Sequence, residues 1–245
     1  MKVQRPCAEL RENGAAKRHL PFPFSAHLLD FKGTPSFIHG VIRKADVGVS
    51  LKIHYRKGMI KMLLKQQSDY FEEIYQIYQE AFPETEQRTK EGQRGILENP
   101  RYHLRVIRDQ HQEKGPIRAF LGYWELESCI FLEHLATTAM CRGQGYGRLL
   151  IQECLNEGEE KKKPLFLEIE PVVASDPMTG RRESFYHRCG FATNHFFYEQ
   201  MPLKEGDLPI SLWIMSWPKA IGENEFLPFK KEIYKQVYGV NLVFK

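Results

Sequence analysis

The stretch CRGQGYGRLLIQECL, Cys141 to Leu155, packs three glycines into five residues and then becomes an apolar stripe at helical spacing. A strand ending in ATTAM that feeds straight into a helix exposes that helix's first backbone N–H groups, which have no intrahelical partner. Gly143, Gly145 and Gly147 remove the Cβ atoms that would keep a large anion at a distance, and they permit positive φ where the loop curls. The helix dipole and Arg142 add positive potential at the same place. The loop therefore suits a pyrophosphate, although the same letters also fit an ordinary tight turn. Two familiar phosphate loops do not match. Gly147 is followed by Arg148 and Leu149 instead of Lys-Ser/Thr, and the glycine spacing is GxGxG instead of GxGxxG.

The 245 residues, 42% of them apolar, suffice for one large domain with an appendage. Residues 1–58 hold eleven Lys and Arg against four Asp and Glu, so the basic character lies here and the rest of the chain is net negative. This part mixes Pro, Gly and isolated apolar residues without period, apart from the alternation VGVSLKIHY (Val47 to Tyr55). It reads as a basic, irregular N-terminal extension, disordered or upstream of a start at Met59, with 59–245 as the folded domain. A nucleic-acid role for the extension has no aromatic interleaving or motif behind it. From Met59 the pattern turns regular. MIKMLLKQ reads as a strand, and SDYFEEIYQIYQEAF as a helix capped by Ser68. TKEGQRGILEN reads as a second helix, followed by the strands YHLRVIRD, IRAFLGYWEL and CIFLEHLATT. The glycine helix, from Gly147 to about Asn156, leads to the strand PLFLEIEPV, the helix RRESFYHRCGF, the strands ATNHFFYEQ and ISLWIMSW, and the helix FLPFKKEIYKQVYG. An α/β chain with a mixed, mostly antiparallel sheet is expected. The five scattered cysteines suggest reduced thiols, with neither a disulfide framework nor a metal site. No apolar run approaches membrane-spanning length and no secretory signal is evident, so a cytoplasmic protein without membrane contact is expected.

The pattern Arg-x-x-Gly-x-Gly, realised as Arg142, Gly145 and Gly147, resembles the signature loop of the GNAT superfamily of N-acetyltransferases. EHLATTAMCRGQGYGRLL is similar to that family's fourth strand, loop and third helix, and SFYHRCGF to its later helix end. The resemblance implies a sheet splayed between its fourth and fifth strands and acetyl-CoA as co-substrate, with no metal. It further implies acetyl transfer to a primary amine, of a small molecule or a peptide, by direct attack in a ternary complex. A catalytically silent acyl-CoA binding or sensing module is the alternative. A homodimer is left open.

By the same resemblance, Leu135, Ala136 and Thr137 would line the pantetheine arm, and Arg142, Gly143, Gln144, Gly145, Tyr146 and Gly147 would wrap the pyrophosphate. Tyr186 would protonate the departing thiolate. Many members carry an asparagine before that tyrosine, where this chain reads SDPMTGRR, so Arg181 and Arg182 either compensate or cover surface. A carboxylate is expected as general base, Glu133 foremost, to take the proton that the acceptor amine must lose before it attacks. Strand alternation puts Glu133 on the face of Thr137 and His134 on the opposite face. Glu168 and Glu170 share a face of the next strand. The cost of burying a charge favours Glu133 and Glu168 over surface acids, while Glu170 reads equally as a solvent-facing residue. Glu125, Glu133 and Glu168 would bias the cleft toward a cationic acceptor, with Tyr123 available for stacking.

Overall fold

The structure, a computed structural model, describes residues 60–61, 68–108 and 115–241. The alternation at Val47 to Tyr55 and the reading of 1–58 lie outside the described residues. Of MIKMLLKQ, only β1 (Ile60–Lys61) is described.

Helix α1 (Ser68–Ala81) begins at Ser68 itself. It presents Phe71, Ile74, Tyr75 and Tyr78 at three- and four-residue steps, and these side chains are buried as one stripe. Helix α2 (Lys90–Ile96) starts where the Thr89 hydroxyl accepts from the Gly92 N–H at 3.0 Å. Three antiparallel strands follow: β2 (Tyr102–Arg108), β3 (Ile117–Glu125) and β4 (Ile130–Thr137). Helix α3 (Tyr146–Lys161) crosses to β5 (Leu165–Ile169), the one strand pairing parallel to its neighbour among the described residues. Helix α4 (Pro177–Arg188), with its Asp176 cap and Pro177 at its first turn, precedes β6 (Ala192–Gln200), β7 (Ile210–Trp217) and α5 (Glu223–Val237). The sheet order is β1-β2-β3-β4-β5-β7-β6. This is the mixed, mostly antiparallel α/β arrangement expected from the sequence. The glycine helix runs one residue earlier and five later than expected, because Lys162 in a left-handed conformation ends it instead of Asn156.

Alternation along the strands sorts the core onto two faces. Ala119, Leu121, Ile130, Leu132, Leu165, Leu167 and Met215 pack against Leu150, Ile151, Cys154 and Leu155 of α3, with Phe185 and Tyr186 of α4 beside them. On the other face, Trp124, Phe131, Phe166, Tyr198 and Ile214 meet Phe226, Ile233 and Tyr234 of α5. Phe120, Val106 and Ala136 meet α1 there.

Candidate active site

Pairing between β4 and β5 covers only Ile130–Leu132 against Leu165–Leu167. Beyond that point the strands part, although β4 continues to Thr137 and β5 to Ile169. The β4 edge over 133–137 and the facing edge over 168–169 therefore offer backbone donors and acceptors to something other than a strand. The expected splay is present. Its open end leads to the glycine loop, because β4 ends there.

Within the loop, Gly143 and Gly145 have φ of 75° and 85°, and a Cβ added to either meets nothing within 4 Å. Backbone conformation demands glycine at these two positions, and the space around them is open. Gly147 differs from the expectation. It lies inside α3 without positive φ, and a Cβ there would make ordinary contacts of 3.5 Å to Phe185 and 3.7 Å to Leu135 and Thr137. Gly145 caps α3 without a side-chain hydrogen bond, so the first-turn N–H groups from Tyr146 onward remain available for an anion. Arg142 and Gln144 are exposed on the rim, and Gln144 donates to the Met140 carbonyl at 3.0 Å. The open cradle, the uncapped helix end and the unpaired strand edges fit a pyrophosphate-bearing thioester such as acetyl-CoA.

The carboxylates do not lie where alternation put them. The register between β3 and β4 shifts at Gly122/Tyr123, with Gly122 opposite His134 and Tyr123 opposite Leu132, so Glu133 is the extra residue of a bulge. The bulge reverses the phase of β4. Leu135 and Thr137 face α3, beside Gly147, whereas Glu133 turns with His134 to the face of α1 and α5. There Glu133 Oε1 lies 2.5 Å from Arg88 Nη2 and Oε2 accepts from Trp124 Nε1 at 3.0 Å, with side chains 4% and 6% exposed for Glu133 and Arg88. Burial pushes the Glu133 carboxyl up, but Arg88 and His134 outweigh it and hold it at about 2. His134 packs edge-on between Tyr78 and Phe82 as a core histidine.

Glu168 stands on the parted segment of β5 and on the same face. The Tyr238 hydroxyl donates to both of its oxygens at 2.8 Å, and the Tyr198 hydroxyl donates to Oε1. Burial, reinforced by the charges of Glu133 and Glu86, pushes this carboxyl up to about 7 against the two phenolic hydrogen bonds. Glu86, from a 3-10 turn at Glu84–Glu86, is itself raised by burial. Tyr186 lies on the opposite, α3-facing side with its ring against Phe185 and Phe191, and burial raises its phenol so that it stays protonated.

Three expected acceptor-side residues are placed elsewhere. Glu125 pairs across the sheet with Ile130, at the end of β3 remote from the loop, and its carboxylate is taken by Lys161 at 2.6 Å and Lys163 at 3.4 Å. Tyr123 lies under α3, where its hydroxyl donates to Glu157 at 2.9 Å in a network with Arg105. Glu170, just past β5, is paired with Arg182, which accounts for one of the two arginines in SDPMTGRR. The residues that sequence reasoning missed are Arg88, Tyr198 and Tyr238. Arg88 lies between α1 and α2, and Tyr198 lies in the strand read from ATNHFFYEQ. Tyr238 is 70 residues from the carboxylate it holds, with no local signal.

The model of the acetyltransferase (GNAT) family matches residues 71–191, from α1 to the end of the helix carrying Tyr186. YjbC of Bacillus subtilis (strain 168), which bears the name of an acetyltransferase, is 30% identical over 166 residues, 67% of this chain and 80% of its own. A Bacteroides thetaiotaomicron structure named as a GNAT-family acetyltransferase superposes with a TM-score of 0.62 at 27% identity, covering 74% of this chain and 99% of its own. The chain belongs to the GNAT family of acetyltransferases. No helix among the described residues is long and apolar enough to cross a membrane.

Proposed function

We propose that the protein transfers the acetyl group of acetyl-CoA to a primary amine, with Glu168 as proton acceptor and Tyr186 as proton donor. The observation that carries this reading is the parting of β4 and β5, with the Glu168 carboxyl on the freed segment of β5 and its pKa raised by burial. Bound acetyl-CoA supplies the activated acyl thioester. The loop from Arg142 to Gly147 would hold its pyrophosphate through backbone N–H groups, and the freed edge of Leu135, Ala136 and Thr137 would pair with the amide-bearing arm.

An alkyl amine arrives as an ammonium ion. The ionised fraction of Glu168 gives its side of the opening a negative potential, which recruits a cation, whereas the charge of Glu133 is matched by Arg88. Glu168 then takes a proton from that ammonium, directly or through water, because a carboxyl near 7 is half ionised at neutral pH and becomes a usable acid after receiving the proton. Glu133 is a poor acceptor, since Arg88 and Trp124 occupy both its oxygens. Tyr186, held neutral on the face of the glycine loop, is suited to give a proton to the departing thiolate. The freed amine adds to the thioester carbonyl, and collapse of the tetrahedral intermediate forms the amide C–N bond and breaks the C–S bond, so that the thiolate leaves with the proton from Tyr186.

Calorimetric titration of acetyl-CoA into the full chain and into Gly145→Glu tests the cofactor site. Binding by the parent and its loss in the variant are expected. Thiol release is then followed with a polyamine, an aminoglycoside and an N-terminal peptide as acceptors. Acetyl-CoA binding without thiol release for any amine would leave a binding module and remove the enzymatic reading.

A further inference from the structure

We propose that Tyr198 and Tyr238 are positioning residues for the reaction: from the edge strand and the end of the C-terminal helix, their hydroxyls clamp the Glu168 carboxyl at the parting of β4 and β5. The inference rests on the assignment of Glu168 as proton acceptor, and it brings β6 and α5 into the site. Both tyrosines lie outside the family-matched residues 71–191.

The geometry is that of a clamp. Tyr238 follows the last turn of α5 and reaches both Glu168 oxygens at 2.8 Å, while Tyr198 donates to Oε1 from β6. Both rings are anchored through Tyr234. Tyr198 is fully buried, edge-on to Phe226 and Tyr234, and Tyr234 ties α5 to β6 by donating to the Glu199 carbonyl. Tyr238 packs edge-on to Tyr234. A carboxyl at the end of a flexible side chain loses its choice of rotamer when two anchored donors meet it. Phenylalanine would fill both volumes, so packing alone does not require the hydroxyls.

The donors also act on protonation. Facing Glu168 are Glu133 on β4 with its partner Arg88, Glu86 on the 3-10 turn, Tyr198 on β6, and Tyr234 and Tyr238 from α5, with Lys230 over the rings of Tyr198 and Tyr234. Its partner across β7 is the apolar Ile214. Burial and the two neighbouring carboxylates favour the protonated acid. The phenols favour the anion that accepts a proton, and both stay protonated themselves because burial raises them.

The test is a carbon-13 titration of the full chain labelled at glutamate side-chain carboxyls, with Glu168→Gln to assign the resonance. Tyr238→Phe and Tyr198→Phe are each expected to move the Glu168 midpoint up by about one pH unit, and more together. The acidic limb of kcat/KM with the best amine of the panel should move with it, while acetyl-CoA affinity holds. Tyr238→Phe, at a helix end, keeps the test alive if Tyr198→Phe fails to fold. An unmoved midpoint in a folded variant overturns the clamp. A midpoint that moves while the pH–rate profile stays fixed overturns Glu168 as the base instead, and with it the catalytic sense of the clamp.

Discussion

Two carboxyls on adjacent strands, Glu133 and Glu168, face the same side of the sheet and are both pushed up by desolvation, yet one is held at about 2 and the other at about 7. Glu133 meets a guanidinium and an indole N–H, and Glu168 meets two phenols. A cation compensates a buried charge by attraction, whereas neutral donors satisfy oxygens without cancelling the cost of leaving water. Burial alone therefore does not make a base. What distinguishes the two positions is the kind of partner, and the ion-paired carboxylate further discourages ionisation of its neighbour.

The largest expected effect separates the two by chemistry. Glu168→Gln should lower kcat/KM by about 10²- to 10⁴-fold with acetyl-CoA affinity unchanged, as loss of a general base requires. A fall of less than tenfold would transfer the role to another group. Glu133→Gln should instead damage the fold, by about 3–5 kcal/mol in urea unfolding, since Arg88 is left buried without its counter-ion. An unchanged unfolding midpoint would mean that the pair is not the buried contact described.

The pH dependence of stability should have opposite signs at the two sites. Glu133 is depressed on folding, so its contribution is present above the ordinary carboxylate range near about 4.3 and is lost as pH falls toward 2. Glu168 is raised, so its contribution is present below about 4.3 and is lost as pH rises through 7. Between pH 4.5 and 7.5, Glu168→Gln should gain on the parent by about 3 kcal/mol; parallel stability curves would contradict the raised carboxyl. The smallest effect belongs to Glu125→Gln. Its partly exposed pairs with Lys161 and Lys163 are worth less than about 1 kcal/mol, and acetyl transfer should be unaffected because the residue stands at the far end of β3.

The local signals were legible as to the kind and order of the elements, though not as to where the helices begin and end. The glycine loop, the helix after it, the crossover to a parallel strand and the Tyr186 helix follow from glycine conformation, periodicity and caps, all of which act within a few residues. Even the run PLFLEIEPV announced a buried strand carrying carboxylates. What the sequence did not disclose was which way those carboxylates point and what meets them.

Alternation predicted one face for Glu133 and Thr137, and a single extra residue opposite Gly122 and Tyr123 inverted it, because a strand's side-chain period is two and any bulge shifts its phase. The bulge depends on pairing between two strands, so neither strand states it alone. The placement of Glu125 and Tyr123 followed the same logic, set by which end and which face of the sheet neighbouring strands leave covered. The sequence by itself determined the elements, their order and the anion loop; tertiary structure alone decided the protonation of Glu133 and Glu168, because the partners that set it arrive from 45 and 70 residues away.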